Sequence, residues 1–297
     1  MAAALSQWHG PESGLGQRFS SVAHIVIPLD GSAASRLVLP IGRRLSQIYH
    51  ATPHLLYVGR EMRDPKEILR VLGLTTGDIP GAVLDARRGN AAEAISRMAR
   101  ELPNSVVLMC TNEESPMSES FGPVAEAVLD SAPARIMLAA PAHCGREWQL
   151  QRILLAHDGT PNSDNATAPA AELAQRASAE VIALHVAARK AASPEKPGSL
   201  PAPRYLDQPQ HEWPAWTGEF MDRMLALGAP PSAVHFDLVV AGGQPGSEIA
   251  ELARRREVDL VVMAWDGKWN HTRHAATRAV TRACGCPVLL VCSASET

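Results

Sequence analysis

Two short segments place an aspartate at the end of an apolar run: Pro28-Leu29-Asp30-Gly31-Ser32 and Ala156-His157-Asp158-Gly159-Thr160. A carboxylate beside a glycine and a hydroxyl can accept hydrogen bonds from a ribose or a base. It can equally bond its own turn or cap the helix that follows. Both readings stay open from the sequence. His157 adjoins Asp158, a pairing that suggests acid–base chemistry, but neighbouring strand residues point to opposite faces and cannot readily serve one atom. A histidine half-buried near the end of a sheet is the simpler reading. His271, His274, Cys284 and Cys286 are residue types that bind zinc. Their spacing matches no standard zinc module, and the cysteines lead into an apolar run, so they read as structural and no metal is expected. Ser163 and Ser247 lie near helix starts, but no Gly-x-Ser-x-Gly elbow accompanies them, which disfavours a serine hydrolase. No P-loop and no Gly-x-Gly-x-x-Gly is present. The glycines of Gly242-Gly243-Gln244-Pro245-Gly246 read as a strand-to-helix connection, and Arg254-Arg255-Arg256 as a solvated charge run at a helix end.

The elements that position these residues occur twice. Ile25–Ser32 resembles Ile153–Thr160, and Leu55–Val58 resembles Ala183–Val186, both at an offset of 128 residues. Gly89–Ile95 matches Gly243–Ile249 and Val106–Met109 matches Leu260–Met263 at an offset of 154, and Ile136–Leu138 matches Val288–Leu290 at 152. Short apolar runs alternate with helical spacings such as Val38, Ile41, Leu45 and Ile48, or Ala166, Ala170, Leu173 and Ala174. Runs of this kind read as strands buried on both faces, and the alternation predicts a parallel sheet with helices on either side. The expected organisation is a mobile tail at 1–20, one domain at 21–141, a linker at 142–149 and a second domain at 150–293. The second copy carries a Pro-rich insertion at about 190–216, read as an extended loop whose Trp213 and Trp216 pack back onto the domain.

Composition agrees with this. The chain has 297 residues, 46% hydrophobic and 20% charged, enough for two cores at about 150 residues each. The net charge of -3, from 28 basic and 31 acidic residues, lacks the basic excess of a nucleic-acid binder. No run of about 18 apolar residues predicts a membrane span, and the first 20 residues do not read as a secretory signal. An odd count of five cysteines fits a reducing cytoplasm better than a disulfide framework.

The motifs taken together resemble the universal stress protein family, twice in one chain. The resemblance rests on the two Asp-Gly-Ser/Thr strand ends, the Leu-x-Val strand end, the glycine before Ile95 and Ile249, the run Asp259–Met263, and the closing segments Ala132–Ile136 and Cys284–Val288. It implies two tandem doubly wound, parallel five-stranded sheets of the adenine nucleotide alpha hydrolase type, Rossmann-like in architecture. Such sheets bind ligands at the carboxyl ends of their strands. It also implies that closing strands pair between subunits. Here they could pair within the chain as a pseudo-dimer, which leaves homodimerisation open.

The family's ATP pattern is Gly-x-x-Gly followed after a loop by Gly-Ser or Gly-Thr. Both copies depart from it. In copy one Cys110 replaces the first glycine, Glu113 and Glu114 fall near the second, and Pro123 follows Gly122, so Pro28, Asp30, Val58 and Gly122 mark a degenerate site. In copy two the loop is shortened, yet Gly267 and Lys268 remain and Arg273 and Arg278 could supply charge. The resemblance there implies a nucleotide site of Ala156, Asp158, Val186, Met263, Ala264, Gly267, Lys268, Arg273 and His274, with Asp158 at the adenosine end. The expected function is a cytoplasmic stress-response binding module, not a turnover enzyme, that takes ATP or another adenine nucleotide, with Mg accompanying it. The alternative is a nucleotide-independent module that meets an unknown protein partner. A weak ATP hydrolase ranks last, because no base or metal-binding carboxylate pair is evident.

Overall fold

The apolar runs form one sheet. The structure, a computed structural model, describes residues 21–61, 63–75, 77–111, 121–131, 133–141, 147–187, 212–228, 234–265, 267 and 275–292. The expected tail at 1–20, most of the linker and nearly all of the Pro-rich segment lie outside the described residues. The strands are β1 (His24–Leu29), β2 (Thr52–Gly59), β3 (Val83–Arg88), β4 (Ser105–Cys110) and β5 (Arg135–Ala139), then β6 (Arg152–Ala156), β7 (Glu180–Ala187), β8 (Phe236–Gly242), β9 (Leu260–Trp265) and β10 (Val288–Cys292). Their order is β3-β2-β1-β4-β5-β10-β9-β6-β7-β8. Every pairing is parallel except β5 with β10, which run antiparallel with Val288 opposite Leu138 and Leu290 opposite Ile136. The closing strands are therefore central, and each covers what would otherwise be an open apolar edge. Because the seam is antiparallel, the carboxyl ends of the first five strands and of the last five emerge at opposite rims.

Helices cover both faces. One apolar layer is closed by α2 (Leu39–Tyr49), α3 (Pro65–Leu72), α7 (Thr167–Ala177) and α8 (Glu212–Gly228). The other is closed by α4 (Ala91–Glu101), α5 (Pro123–Asp130), α9 (Pro245–Arg255) and α10 (Ala275–Ala283). Two single turns, α1 (Ala33–Arg36) and α6 (Pro161–Asp164), follow β1 and β6. The predicted helical stripes face inward: Val38, Ile41, Leu45, Ile48, Ala166, Ala170, Leu173 and Ala174 are all buried. Helix starts follow side-chain chemistry, with Ser32, Asp64 and Asn90 accepting first-turn N–H bonds. Across the seam, α2 meets α7: the Arg176 guanidinium lies 5.9 Å from the Tyr49 ring centre and bonds Glu172 at 3.1 Å. Burial, seconded by Glu172, raises the Tyr49 hydroxyl well above its ordinary value.

Helix α8 differs from the sequence expectation. It begins at Glu212, inside the segment read as an extended loop, and runs 17 residues. Pro214 falls in its first turn, where a missing N–H costs no helical bond. Trp216, Phe220 and Met224 then recur every four residues, and all three are buried against β6, β7 and α7. Trp216 thus packs inward as expected, from a helix and not from a loop; the side chain of Trp213 lies outside the described residues.

Candidate functional site

The cleft at the strand ends of the first half is built from both layers. Asp30 follows β1, Val58 nears the end of β2, Met109 and Cys110 end β4, and Phe121 to Ala125 bring the start of α5. These residues enclose a cavity of about 170 Å³. Pro28, Leu56, Val58, Ile95 and Met109 form apolar walls, and Asp30, Ser32 and Ser35 supply polar groups. All four residues of the site read as degenerate, Pro28, Asp30, Val58 and Gly122, therefore meet at one cleft. Sequence reasoning missed Ile95 and Ser35 as wall residues. Ile95 was legible only as a core position of α4, and Ser35 only as a residue of the turn after Asp30.

The Asp30 carboxylate accepts the Ser32 N–H at 2.8 Å, which tightens the turn into α1. Burial alone would raise its pKa, but hydrogen bonds from the Ser32 and Ser35 hydroxyls and the Ser32 N–H outweigh it and hold the group below its ordinary value. The site therefore presents an ionised carboxylate near neutral pH. At the start of α5, Gly122 adopts φ 96°, a left-handed conformation open to glycine, and Pro123 follows at the first helical position. Pro123 contributes no N–H. Glu126 stands in the first turn, its carboxylate accepting the Phe121 N–H at 3.3 Å and lying 4.0 Å from the Arg278 guanidinium of α10. This helix start is already neutralised by its own carboxylate, which opposes binding of a polyanion there.

The corresponding turn of the second half is occupied by its own bonds. Asp158 Oδ1 accepts the Thr160 N–H at 2.9 Å, the Thr160 hydroxyl at 2.6 Å and the Ser163 hydroxyl at 2.6 Å. Burial opposes ionisation, but the Ser163 and Thr160 donors and the nearby His157 ring outweigh it and lower the pKa. Ala156 and Met263 are register partners, Val186 pairs with Ala241, and Ala264 with Val291. These strand positions are thus placed at one rim. Gly267 has φ 75°, and Lys268, Arg273 and His274 lie outside the described residues. Trp265 stands at the end of β9, 3% exposed in the layer under α9 and α10. His157 and Asp158 lie just past the end of β6, not within the strand, and turn to different partners. His157 is buried, with Nε2 2.9 Å from Asp164 Oδ1 and Nδ1 accepting the Gly159 N–H at 3.1 Å. His185 Nδ1 donates to the His157 carbonyl at 3.0 Å, beneath Phe220. Burial lowers the His185 pKa, against the bond to that carbonyl and the nearby Asp158, which favour the charged form. His157 is therefore a structural hydrogen-bonding centre whose partner, Asp164, lies on the next turn of chain.

Among the described residues, no group of three or more His, Cys, Asp or Glu side chains converges to hold a metal, and no helix is long and apolar enough to cross a membrane.

Comparison with known proteins agrees with this architecture. Residues 149–291 match the model of the universal stress protein family. No curated protein sequence matches the chain. Among solved structures, a universal stress protein from Archaeoglobus fulgidus DSM 4304 aligns with a TM-score of 0.64 at 15% identity, covering 92% of this chain and 97% of its own. A protein of unknown function from Pseudomonas aeruginosa PAO1 aligns with a TM-score of 0.64 at 14% identity, covering 91% and 92%. The cytoplasmic domain of a prokaryotic cation chloride cotransporter aligns with a TM-score of 0.52 at 12% identity, covering 93% and 97%. At these identities the likeness is one of fold. Residues 149–291 belong to the universal stress protein family, and the chain as a whole carries that family's fold in a single ten-stranded sheet.

Proposed function

We propose that this chain is a ligand-binding, regulatory universal stress protein of two units, residues 21–141 and 150–293, held as an intramolecular pseudo-dimer through β5 and β10. Its small-molecule site is the cleft of the first unit. The convergence of Pro28, Asp30, Val58 and Gly122 on one cavity carries this reading. Apolar walls suit a purine, and an ionised carboxylate among hydroxyls suits the two hydroxyls of a ribose. The cavity, about 170 Å³, is smaller than the roughly 300 Å³ at which small-molecule pockets usually begin. Pro123 and Glu126 weaken the helix start as a phosphate site. Size and charge together favour an adenine nucleoside or monophosphate over ATP with Mg. The Asp158 turn is bonded much as the Asp30 turn is, so the cavity lined by Pro28, Val58 and Gly122 is what favours the first unit. The odd count of five cysteines supports a reducing, cytoplasmic setting.

Calorimetric titration of the full chain with adenosine, AMP and Mg-ATP tests this. The expected result is one site per chain, weakest for Mg-ATP, lost in Asp30→Ala and retained in Asp158→Ala. The opposite pattern would move the site to the second unit and to Gly267, Lys268, Arg273 and His274. No heat with any of the three, together with no thermal shift, would establish the nucleotide-independent module, since a ligand of the native state must raise its stability.

A further inference from the structure

Three polar side chains line up across the first strands of the sheet. His24 opens β1, His54 lies near the start of β2, and Asp85 lies in β3. They share the face covered by α4. Val26 and Leu56, the next inward positions after the two histidines, pack with Ile95 and Met98 of that helix. Arg87, the next after Asp85, pairs with Glu101 of α4 at 2.7 Å. The same positions of the second half, at the repeat offsets of 128 and 154 residues, hold Arg152, Ile182 and Val239. Ile182 and Val239 join the apolar layer there. The fold is thus satisfied without an imidazole or a carboxylate in this row, and the row is a chemical feature of the first half alone.

The three groups form a directed chain. Asp85 Oδ2 lies 3.1 Å from His54 Nδ1, and because an ionised carboxylate only accepts, that nitrogen is the donor. The neutral ring then keeps its lone pair on Nε2, which stands 3.1 Å from His24 Nδ1. The two rings meet edge to face, with centres 5.1 Å apart. Two nitrogens bound to one ion at about 2.0–2.1 Å, with an angle of about 90–110° between the bonds, stand about 2.9–3.4 Å apart. The observed separation falls in that range. His54 also has what a metal-binding histidine commonly has, a carboxylate on its other nitrogen that fixes the tautomer and raises the basicity of the ligating one. The row is open to water: the His54 and Asp85 side chains are 11% and 26% exposed, and His24 is half-buried.

We propose that His24 and His54 form a two-imidazole site for a divalent late transition-metal ion, of the zinc and copper class, with Asp85 orienting His54. Imidazole nitrogen suits such ions, whereas magnesium and calcium take oxygen ligands. The ion takes the place of the hydrogen between the rings. His24 binds through Nδ1 and carries its proton on Nε2; His54 binds through Nε2 and keeps its proton on the Asp85 side. Two protein ligands leave the remaining positions of the ion to water. The site stands at the amino ends of β1 and β2, and the cleft of Asp30 at their carboxyl ends, so neither depends on the other.

The test is calorimetric titration of the full chain, stripped with EDTA and desalted, with zinc chloride and separately with magnesium chloride. The expected result is zinc binding that loses one site in His24→Ala and the same site in His54→Ile, and no binding of magnesium there. In Asp85→Asn the zinc affinity of that site should fall about 10–100-fold. Isoleucine is what the second half carries at the position of His54, so that variant should fold, with circular dichroism as the check. Long-range 1H–15N spectra of the imidazoles should show zinc shifting His24 Nδ1 and His54 Nε2 together. Equal zinc stoichiometry in the parent and both histidine variants would overturn the proposal. So would zinc that shifts one ring without the other, or zinc displaced by equimolar magnesium. Unchanged affinity in Asp85→Asn would overturn the role given to Asp85.

Discussion

Phe220 is the central buried ring of helix α8. Phe220 is 2% exposed, with ring centres 5.2 Å from His157, 5.0 Å from His185 and 5.0 Å from Trp216. Replacing it with alanine removes about 150 Å² of apolar burial, which at about 25 cal/mol per Å² is about 4 kcal/mol. Core Phe→Ala substitutions span about 3–5 kcal/mol, and the dense ring packing here allows little collapse into the gap. The loss should also change the response to acid. Burial holds the His185 pKa below 6.5, so the fold favours its neutral form. That contribution is fully present above pH 6.5 and is lost as pH falls through the lowered value. Water admitted by the smaller side chain restores the ring toward its ordinary value, so the variant loses less on acidification. Urea unfolding followed by circular dichroism, at about pH 8 and about pH 5.5, reads both effects. At the higher pH the midpoint should fall by about 1.5 M, for a slope of about 2.5 kcal/mol per M. The gap to the parent should narrow at the lower pH. A loss below about 1 kcal/mol at the higher pH would refute the docking of α8 through Phe220. An equal gap at both values would refute the burial argument for His185.

Other substitutions probe the sheet and its turns. Gly42→Ala should cost about 1–3 kcal/mol of stability by thermal unfolding, because the new Cβ would stand 2.5 Å from Cδ1 of the fully buried Ile27 and 3.4 Å from Leu108 Cδ2. Asp259→Ala should cost about 1–3 kcal/mol, since its carboxylate accepts the N–H groups of Gln151 at 2.8 Å and Arg152 at 2.9 Å where the chain enters β6. Asp30 and Asp158 are both held below the ordinary value of 3.8. Their contribution is present above that pH and is lost as pH falls through the lowered values, so a double Asp→Asn variant should show a flatter acid limb in a plot of Tm against pH. An unchanged acid limb would show that neither turn depends on the charge.

The repeat and its strands were legible because buried parallel strands leave continuous apolar runs, and because the Asp-Gly-Ser/Thr turn recurs with its spacing intact. Helix α8 was obscured by composition. The prolines before Pro214 drew the segment toward loop, although Trp216, Phe220 and Met224 carry a helical period. The pairing of His157 with Asp164 was hidden for another reason: a single turn of helix, α6, carries Asp164 back toward the strand end, and no periodic pattern marks so short an element. At the candidate site, motif comparison pointed to the second half because Gly267 and Lys268 survive there. The cleft of the first half depends on how Ile95, Met109 and Phe121 pack, and cavity shape is not written in a local motif. Asp158 shows the same limit: its Oδ1 accepts from Thr160 and Ser163, which only the folded turn reveals.

The antiparallel seam also has a consequence for assembly. When two such edges belong to separate chains, their pairing weakens on dilution and any exchange of partners scrambles what each half has acquired. Here Ala139 and Arg152, the ends of β5 and β6, are separated by a short span of the same chain. A short tether holds its ends at an effective concentration in the millimolar range, so the β5–β10 contact is indifferent to the abundance of the protein. The halves are then free to diverge, each keeping a fixed neighbour. An open cleft and a histidine row can persist in one half alone, and the joined sheet becomes a permanent address for the difference.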